Sequence, residues 1–368
     1  MDKARITDIL KQLTAVDGPS GAETAVAALV QKLAGATVTE VRTDALGNLI
    51  ARRPATVRRE DGAASGSVML AAHMDEIGLI VTRVEQGFLH VARVGGVDPR
   101  STLGQEVTVY PSGPGAEAFP NGLPGYIGSR PPHVLSDEER HKVIPLQDLR
   151  VDLGLPPAFF ASGVVRAGDR VVWRGPTTEL LDGWLATKAL DNRASVAVML
   201  GALGYLAAMQ HQWDVYAVAT VQEEFGLRGA TTAAFGVAPD LAIALDVTFG
   251  NTPGVSDSET FEMDRGPTIG IGPNLHPGVV KLLKQAAGDL EISYQIEPMY
   301  GPTGTDAWAI QVSQEGIPTG LLSVPIRYMH SSVETVAAAD LDRTARLLAA
   351  FIARLDGETL TGLVEELW

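Results

Sequence analysis

Five short segments of this sequence carry side chains that can hold a cation or move a proton. They are His73-Met74-Asp75, Ala189-Leu190-Asp191-Asn192, Gln222-Glu223-Glu224, Ala244-Leu245-Asp246 and Tyr328-Met329-His330. Each lies at the end of a predicted strand or at a strand-to-helix junction. In an α/β sheet, ligands gather at the carboxyl edge of the strands, so residues this far apart in sequence can meet. Gathered without counter-charge, buried carboxylates lose solvation and their ionised form is strongly disfavoured. Metal ions remove that difficulty: Asp191, Glu224 and Asp246 bring three negative charges, and two divalent cations bring four positive ones. The chain has no cysteine, which excludes disulfides, thiolate nucleophiles and thiolate metal sites together. A metal held by His, Asp and Glu is a hard to borderline divalent ion.

Each residue also has a plainer explanation. Asp191 could serve as the N-cap of the helix that follows, but capping and ligation use the same oxygens. A Glu-Glu doublet is ordinarily a solvated pair, yet Glu223-Glu224 ends the apolar run 215–221 and leads into Phe225-Gly226. Asp246 follows Leu-Ala-Ile-Ala-Leu, and His73 follows the apolar run 68–72 with Asp75 two residues on. His330 is the least distinctive by itself. His90, His133, His141, His211 and His276 have no comparable setting, and most of them read as surface residues; His133 belongs to the middle, β-rich stretch. The Gly-rich loop Gly301-Pro-Thr-Gly-Thr-Asp306 opens a helix and needs no role beyond capping it. Gly270-Ile-Gly272 is too short for a nucleotide fingerprint, and no phosphate-binding loop ending in Lys-Ser or Lys-Thr occurs, which argues against phosphoryl transfer.

The elements that must position these residues follow from periodicity. Residues 6–33 read as two helices broken by Asp17-Gly-Pro-Ser-Gly21, and residues 38–51 as a hairpin around Leu46-Gly47-Asn48. Residues 68–72 form a buried strand that delivers His73. From 77 to 174, short alternating segments separated by Gly and Pro turns predict a small all-β module. From 185 onward, helices at 192–209, 277–287, 305–313 and 339–355 alternate with strands at 215–221, 241–246, 291–297 and 320–324. Such alternation predicts a doubly covered, mostly parallel mixed sheet. The fold class is therefore α/β: a catalytic domain in two pieces, 1–75 and 181–368, interrupted by a β-rich domain at 76–180.

Composition narrows the function. Apolar residues make up 45% of the 368 and charged residues 20%, the balance of a soluble globular protein. A net charge of −15 argues against a nucleic-acid partner, which would want a basic face. The longest apolar runs, such as 194–200, fall short of the roughly 18–20 residues a membrane span needs. With no secretory signal at the start, the expected location is the cytoplasm.

From Asp17-Gly-Pro-Ser-Gly21 to His330-Ser-Ser-Val-Glu334, the order and spacing of these segments resemble the glutamyl aminopeptidase family. That family includes the tetrahedral "TET" aminopeptidases, and some of its members are labelled endoglucanases. Gly128-Ser-Arg-Pro-Pro-His133 also looks like the family, in which a compact β domain (barrel-like or PDZ-like) interrupts a zinc-peptidase-like domain and mediates dimerisation. The resemblance implies two divalent ions per subunit, zinc or cobalt. His73 and Asp246 would bind one, Glu224 and His330 the other, and Asp191 would bridge them. Glu223 would be the general base, Asp75 would accept the other ring proton of His73, and Asp306 would help to bind substrate. The implied activity is removal of N-terminal residues from peptides by an ion-activated water, in a homo-oligomer of dimers assembled to a dodecamer. Carboxypeptidases and deacylases built on the same metal core share the chemistry and differ in the terminus they recognise. A glycoside hydrolase would want aromatic stacking surface, and aromatics are 6% here. A non-catalytic peptide-binding scaffold would have no use for Glu223 with all five ligands.

Overall fold

The first residues set the pattern of local signals that the rest of the chain follows. The structure, a computed structural model, describes residues 1–365. Helix α1 (Lys3–Thr14) is capped by Asp2, whose carboxylate accepts the Arg5 N–H at 2.8 Å, and α2 (Thr24–Ala34) ends at Gly35. The hairpin of β1 (Glu40–Thr43) and β2 (Leu49–Arg53) turns where Asp44 Oδ1 accepts the N–H groups of Leu46, Gly47 and Asn48. Gly47 sits there at φ 111°, a conformation that side chains resist.

Strand β3 (Gly66–His73) leads into a closed antiparallel barrel of β4 (Gly78–Glu85), β5 (Phe88–Val94), β6 (Glu106–Tyr110), β7 (Leu123–Gly128), β8 (Arg150–Asp152) and β9 (Arg170–Trp173). Two short helices, α3 (Asp137–Arg140) and α4 (Pro157–Phe160), lie in its connections. Leu79, Val81, Leu89, Val107, Val151 and Val171 fill it with an apolar core separate from that of the large sheet. Closure leaves no free edge among these strands.

The remaining elements are β10 (Thr178–Glu179), β11 (Trp184–Thr187), α5 (Leu190–Leu206), β12 (Trp213–Thr220), α6 (Arg228–Val237) and β13 (Leu241–Phe249). They continue with β14 (Thr268–Ile271), α7 (Pro277–Asp289), β15 (Gln295–Pro298), α8 (Asp306–Ile310), β16 (Thr319–Arg327), β17 (Glu334–Ala337), α9 (Ala338–Arg354) and α10 (Thr359–Glu365). The sheet is mixed, in the order β1-β2-β12-β3-β13-β16-β17-β11-β10, with β14 beside β16 and β15 beside β14. Its centre, β12-β3-β13-β16, is parallel, and both flanks are antiparallel. Helices α1, α2, α5, α7 and α9 pack with one face, and α6 and α8 with the other. Along β3, Val68, Leu70 and Ala72 point into the first layer, and Met69 and Ala71 into the second. That is the two-residue period of a strand buried on both sides.

Two expected elements are shorter than the sequence suggests. The strand expected at 291–297 is reduced to β15, because the Ile292 N–H bonds the Ala287 carbonyl at 2.9 Å and Ile292 is buried in the core; 290–291 turn out of α7 and 292–294 form no strand. The helix expected at 305–313 stops at Ile310. Helix α6 was not foreseen: its buried residues Gly229, Ala230, Ala233 and Ala234 are too small to mark a periodic apolar stripe. Among the described residues, no helix is long and apolar enough to cross a membrane.

Candidate metal centre and active site

Strand parity decides which side chains reach the site. His73 ends β3 on the same face as Met69 and Ala71, and Asp246 lies on the same face of β13 as Ala242 and Ala244. Thr220, the register partner of His73 on β12, faces the same way. These residues stand at the carboxyl ends of the parallel strands, on the layer covered by α6 and α8.

Asp191 enters from the junction before α5, and each of its oxygens meets an imidazole: Oδ1 is 3.0 Å from His73 Nε2, and Oδ2 is 3.2 Å from His330 Nε2. His73 Nε2 also lies 3.8 Å from Glu223 Oε2 and 3.9 Å from Asp246 Oδ1, and His330 Nε2 lies 3.4 Å from Glu224 Oε1. All seven residues proposed as ligands, base or orienting partner therefore meet at one place. Asp75 holds several of them in position. It lies 3.3 Å from His73 Nδ1, accepts the N–H groups of Glu223 (3.0 Å) and Glu224 (3.2 Å), and accepts the Ser20 hydroxyl at 2.6 Å.

Asp306 is buried; one oxygen accepts the Thr220 hydroxyl at 2.6 Å and the other has no hydrogen-bond partner. It does not line the cavity, although Thr303, Gly304 and Thr305 of the same loop do. Backbone strain is concentrated around the site, as is common at functional sites. Ala189, Gln222, Leu227, Tyr328 and His330 all lie in the left-handed region at φ between 54° and 63°.

Sequence reasoning missed three contributors. Glu334 accepts the N–H of Asp191 with one oxygen and that of His330 with the other, each at 3.0 Å, which ties two candidate-ligand segments together. Its place four residues after His330 was the only signal. Gly96, from the turn after β5, brings barrel backbone against the centre; a Cβ there would lie 2.4 Å from His330 Nδ1. Glu297, at the end of β15, lines the same cavity of about 500 Å³. Of the other histidines, His133 and His141 are exposed, but His90 and His211 are buried, contrary to expectation. Polar partners explain this: His211 Nδ1 bonds the Trp213 carbonyl at 2.8 Å, and His90 lies 2.9 Å from Glu85.

The electrostatics show a site short of positive charge. Burial raises the Glu223 carboxyl to about 10, with Asp246, Asp306 and Glu224 adding to the shift against the opposing pull of His73. Burial likewise pushes Asp246 and Glu334 well above the usual carboxylate range. Burial would lower His73, but Glu223, Asp191 and Asp75 drive it well above an ordinary histidine, and bonds to Asp191 and Glu224 push His330 up to about 11. Among the described residues, no lysine or arginine lines the cavity to relieve this. Buried Glu224 Oε1 makes no well-formed hydrogen bond beyond its 3.4 Å contact with His330 Nε2. Ligand atoms of His73, Asp191 and Glu224 lie within 4.8 Å of one another, as do those of His73, Glu223 and Asp246. Hard oxygen and imidazole nitrogen donors, crowded and in want of cations, fit divalent metal ions.

Comparison with known proteins decides the family. Residues 47–347 match the M42 glutamyl aminopeptidase family. The chain belongs to that family. As an M42 member it is a peptide hydrolase. A lysyl aminopeptidase of Pyrococcus furiosus is 35% identical over 95% of this chain and 97% of its own length. An aminopeptidase from the archaeon Desulfurococcus kamchatkensis is 37% identical and superposes with a TM-score of 0.87 over 98% of both chains. A Pyrococcus horikoshii TET peptidase, described as assembling into a tetrahedron or a large octahedral shell, is 31% identical with a TM-score of 0.80, over 95% of this chain and 100% of its own.

One prediction follows from the charge shortage in this M42 site. The raised carboxyls and imidazoles retain protons in the metal-free fold that they release when unfolded. Their stabilisation is complete below the unfolded values and is lost as pH rises toward the folded values of about 10 and 11. Metal ions replace those protons. The rise in Tm produced by zinc over chelated protein should therefore grow between about pH 6 and pH 9. Differential scanning fluorimetry of both forms checks it, and a constant or shrinking difference would contradict it.

Proposed function

We propose that this M42 peptidase removes the N-terminal residue of peptides. In this reading His73, Asp191, Glu224, Asp246 and His330 hold two divalent cations, zinc or cobalt, and Glu223 acts as general base. The observation that carries it is the placement of Asp191, with an imidazole against each carboxylate oxygen and a further carboxylate beside each imidazole. His73 and Asp246 serve one ion, Glu224 and His330 the other, and Asp191 both. When bound, such ions lower the pKa of a water and polarise a carbonyl.

The rest of the chemistry falls to the chain's own groups. Glu223 accepts a proton from the attacking water and delivers it to the departing amine nitrogen as the peptide C–N bond breaks. Asp75 orients His73 through Nδ1 and pins the backbone of Glu223 and Glu224, so the base and one ligand move as a unit. Asp306 adds negative charge to the surroundings of Glu223, while Thr303 to Thr305 present the substrate-facing side of that loop. A free α-amino group would take the place of solvent at one ion position, which limits attack to the first peptide bond.

The larger organisation follows the relatives. We infer a cytoplasmic homo-oligomer in which the segment 76–180 is a dimerisation domain inserted into the catalytic domain of 1–75 and 181–368. Dimers would build a twelve-subunit shell resembling the tetrahedral assembly described for the Pyrococcus horikoshii relative.

The test is release of free amino acids from short peptides, with free or acetylated N-termini, in zinc, cobalt or chelator. Metal-dependent release abolished by acetylation is expected. Cleavage of acetylated peptides or of C-terminal bonds instead would favour a deacylase or carboxypeptidase and overturn the assignment.

A further inference from the structure

The cavity contains a carboxylate that the proposed chemistry does not use. Glu297 is buried on β15, away from the five ligand segments. Its Oε1 accepts the Thr248 hydroxyl at 2.6 Å and its Oε2 the Thr268 hydroxyl at 2.5 Å, and the Ser323 hydroxyl gives a third bond. Burial holds this carboxyl above its ordinary value, and the three hydroxyls offset only part of that rise. Among the described residues, its partners are these hydroxyls, and no lysine or arginine pairs with it. A buried carboxylate supplied with donors but no counter-charge is costly to maintain without a cation.

Strand register places this group beside the metal centre. Thr248 lies two residues beyond Asp246 on the same face of β13, about 7 Å along the strand. Ser323 on β16 is the register partner of Asp246, and Thr268 on β14 is the partner of Ser323. The hydroxyls that grip Glu297 therefore occupy neighbouring positions on one face of adjacent strands, about 4.8 Å apart. Met299, in the same layer as Asp246, adds apolar surface to the cavity, and Phe249 lines it as well. An apolar wall leading to a buried anion is complementary to a side chain with an aliphatic stem and a cationic head.

We propose that Glu297 is a specificity-determining residue that selects a basic N-terminal residue, lysine or arginine, by pairing with its charged end. This rests on the aminopeptidase reading above. An acidic side chain would meet carboxylates here and no lysine or arginine. A leucine would leave Glu297 buried and unpaired.

Aminoacyl-coumarin amides of lysine, arginine, leucine, norleucine and glutamate test the assignment on the zinc-loaded enzyme. Norleucine keeps the stem of lysine and lacks its charge. Wild-type kcat/KM should favour lysine over norleucine by about 30-fold or more, the smallest loss expected when one member of a buried charge pair is removed. Glu297→Gln should reduce that lysine-to-norleucine ratio by a similar factor, chiefly through KM for lysine. A wild-type preference for leucine, norleucine or glutamate would overturn the proposal, as would a variant that lowers every substrate in proportion. The wild-type ranking needs no variant, so misfolding of Glu297→Gln would not remove the test. No release from any of the five amides, by enzyme shown to be metal-loaded, would overturn the aminopeptidase reading and this one with it. Turnover with the wrong ranking overturns this one alone.

Discussion

Replacing Glu223 with glutamine is expected to lower kcat by about 10²–10⁴-fold, the usual contribution of a positioned general base, while the protein remains folded and metal-loaded. The amide has the shape of the carboxylate but cannot take the proton of water. The backbone at 223 is held through its N–H by Asp75, an interaction the substitution leaves intact. The variant also removes one acid from a group of mutually repelling carboxyls, so the Tm of the metal-free protein should not fall. Steady-state kinetics on a peptide substrate, elemental analysis of bound zinc and thermal unfolding together decide the matter. Activity within tenfold of wild type at equal metal content would remove Glu223 from the role of base. Loss of activity together with loss of metal would make it a ligand, as its 3.8 Å separation from His73 also permits.

The second large effect is expected from Asp191→Ala. Both oxygens of Asp191 face an imidazole, so one substitution weakens both metal positions. Affinity should fall by more than the 10–100-fold that loss of an orienting partner typically costs, and peptide turnover should vanish with it. Titration against a fluorescent chelator reads the affinity of each ion. Retention of one tightly bound ion would show that Asp191 serves a single position and would end the bridging assignment. The thermal readout is independent of activity: zinc should stabilise wild type by mass action and leave the variant almost unmoved.

Much of this architecture was legible because local signals and burial agreed. The apolar run before His73 and the Leu-Ala-Ile-Ala-Leu run before Asp246 are strands buried on both faces, and each ends in a polar residue at the carboxyl edge of the sheet. Asp17-Gly-Pro-Ser-Gly21 separates two helices because its residues favour turns over helix interiors, and the alternating segments from 78 to 173 form a barrel. Short or weakly patterned elements were not legible. Helix α6 presents small residues to the sheet, and β14 has only four residues. The sequence suggested a mostly parallel sheet, and the structure keeps parallel pairing in the central strands and between β14 and β15 while the flanks pair antiparallel, because hydrophobic patterning identifies strands without specifying their neighbours.

The site divides in the same way. The sequence by itself determined the chemistry on offer: no thiols, imidazole and carboxylate donors at strand ends, and a surplus of acid that calls for cations. It also determined the family, because the order and spacing of short motifs survive where overall identity is low. Only the tertiary structure decided which groups face one another. Glu334 closes a motif in the sequence without a role assigned to it, and becomes the tie between Asp191 and His330 once β17 pairs beside β16. Gly96 matters because the barrel turns its backbone against His330. Glu297 acquires a place in the cavity because three strands far apart in sequence align Thr248, Ser323 and Thr268 around it. Such relations depend on strand order and register, which arise from non-local pairing that no short stretch of sequence encodes.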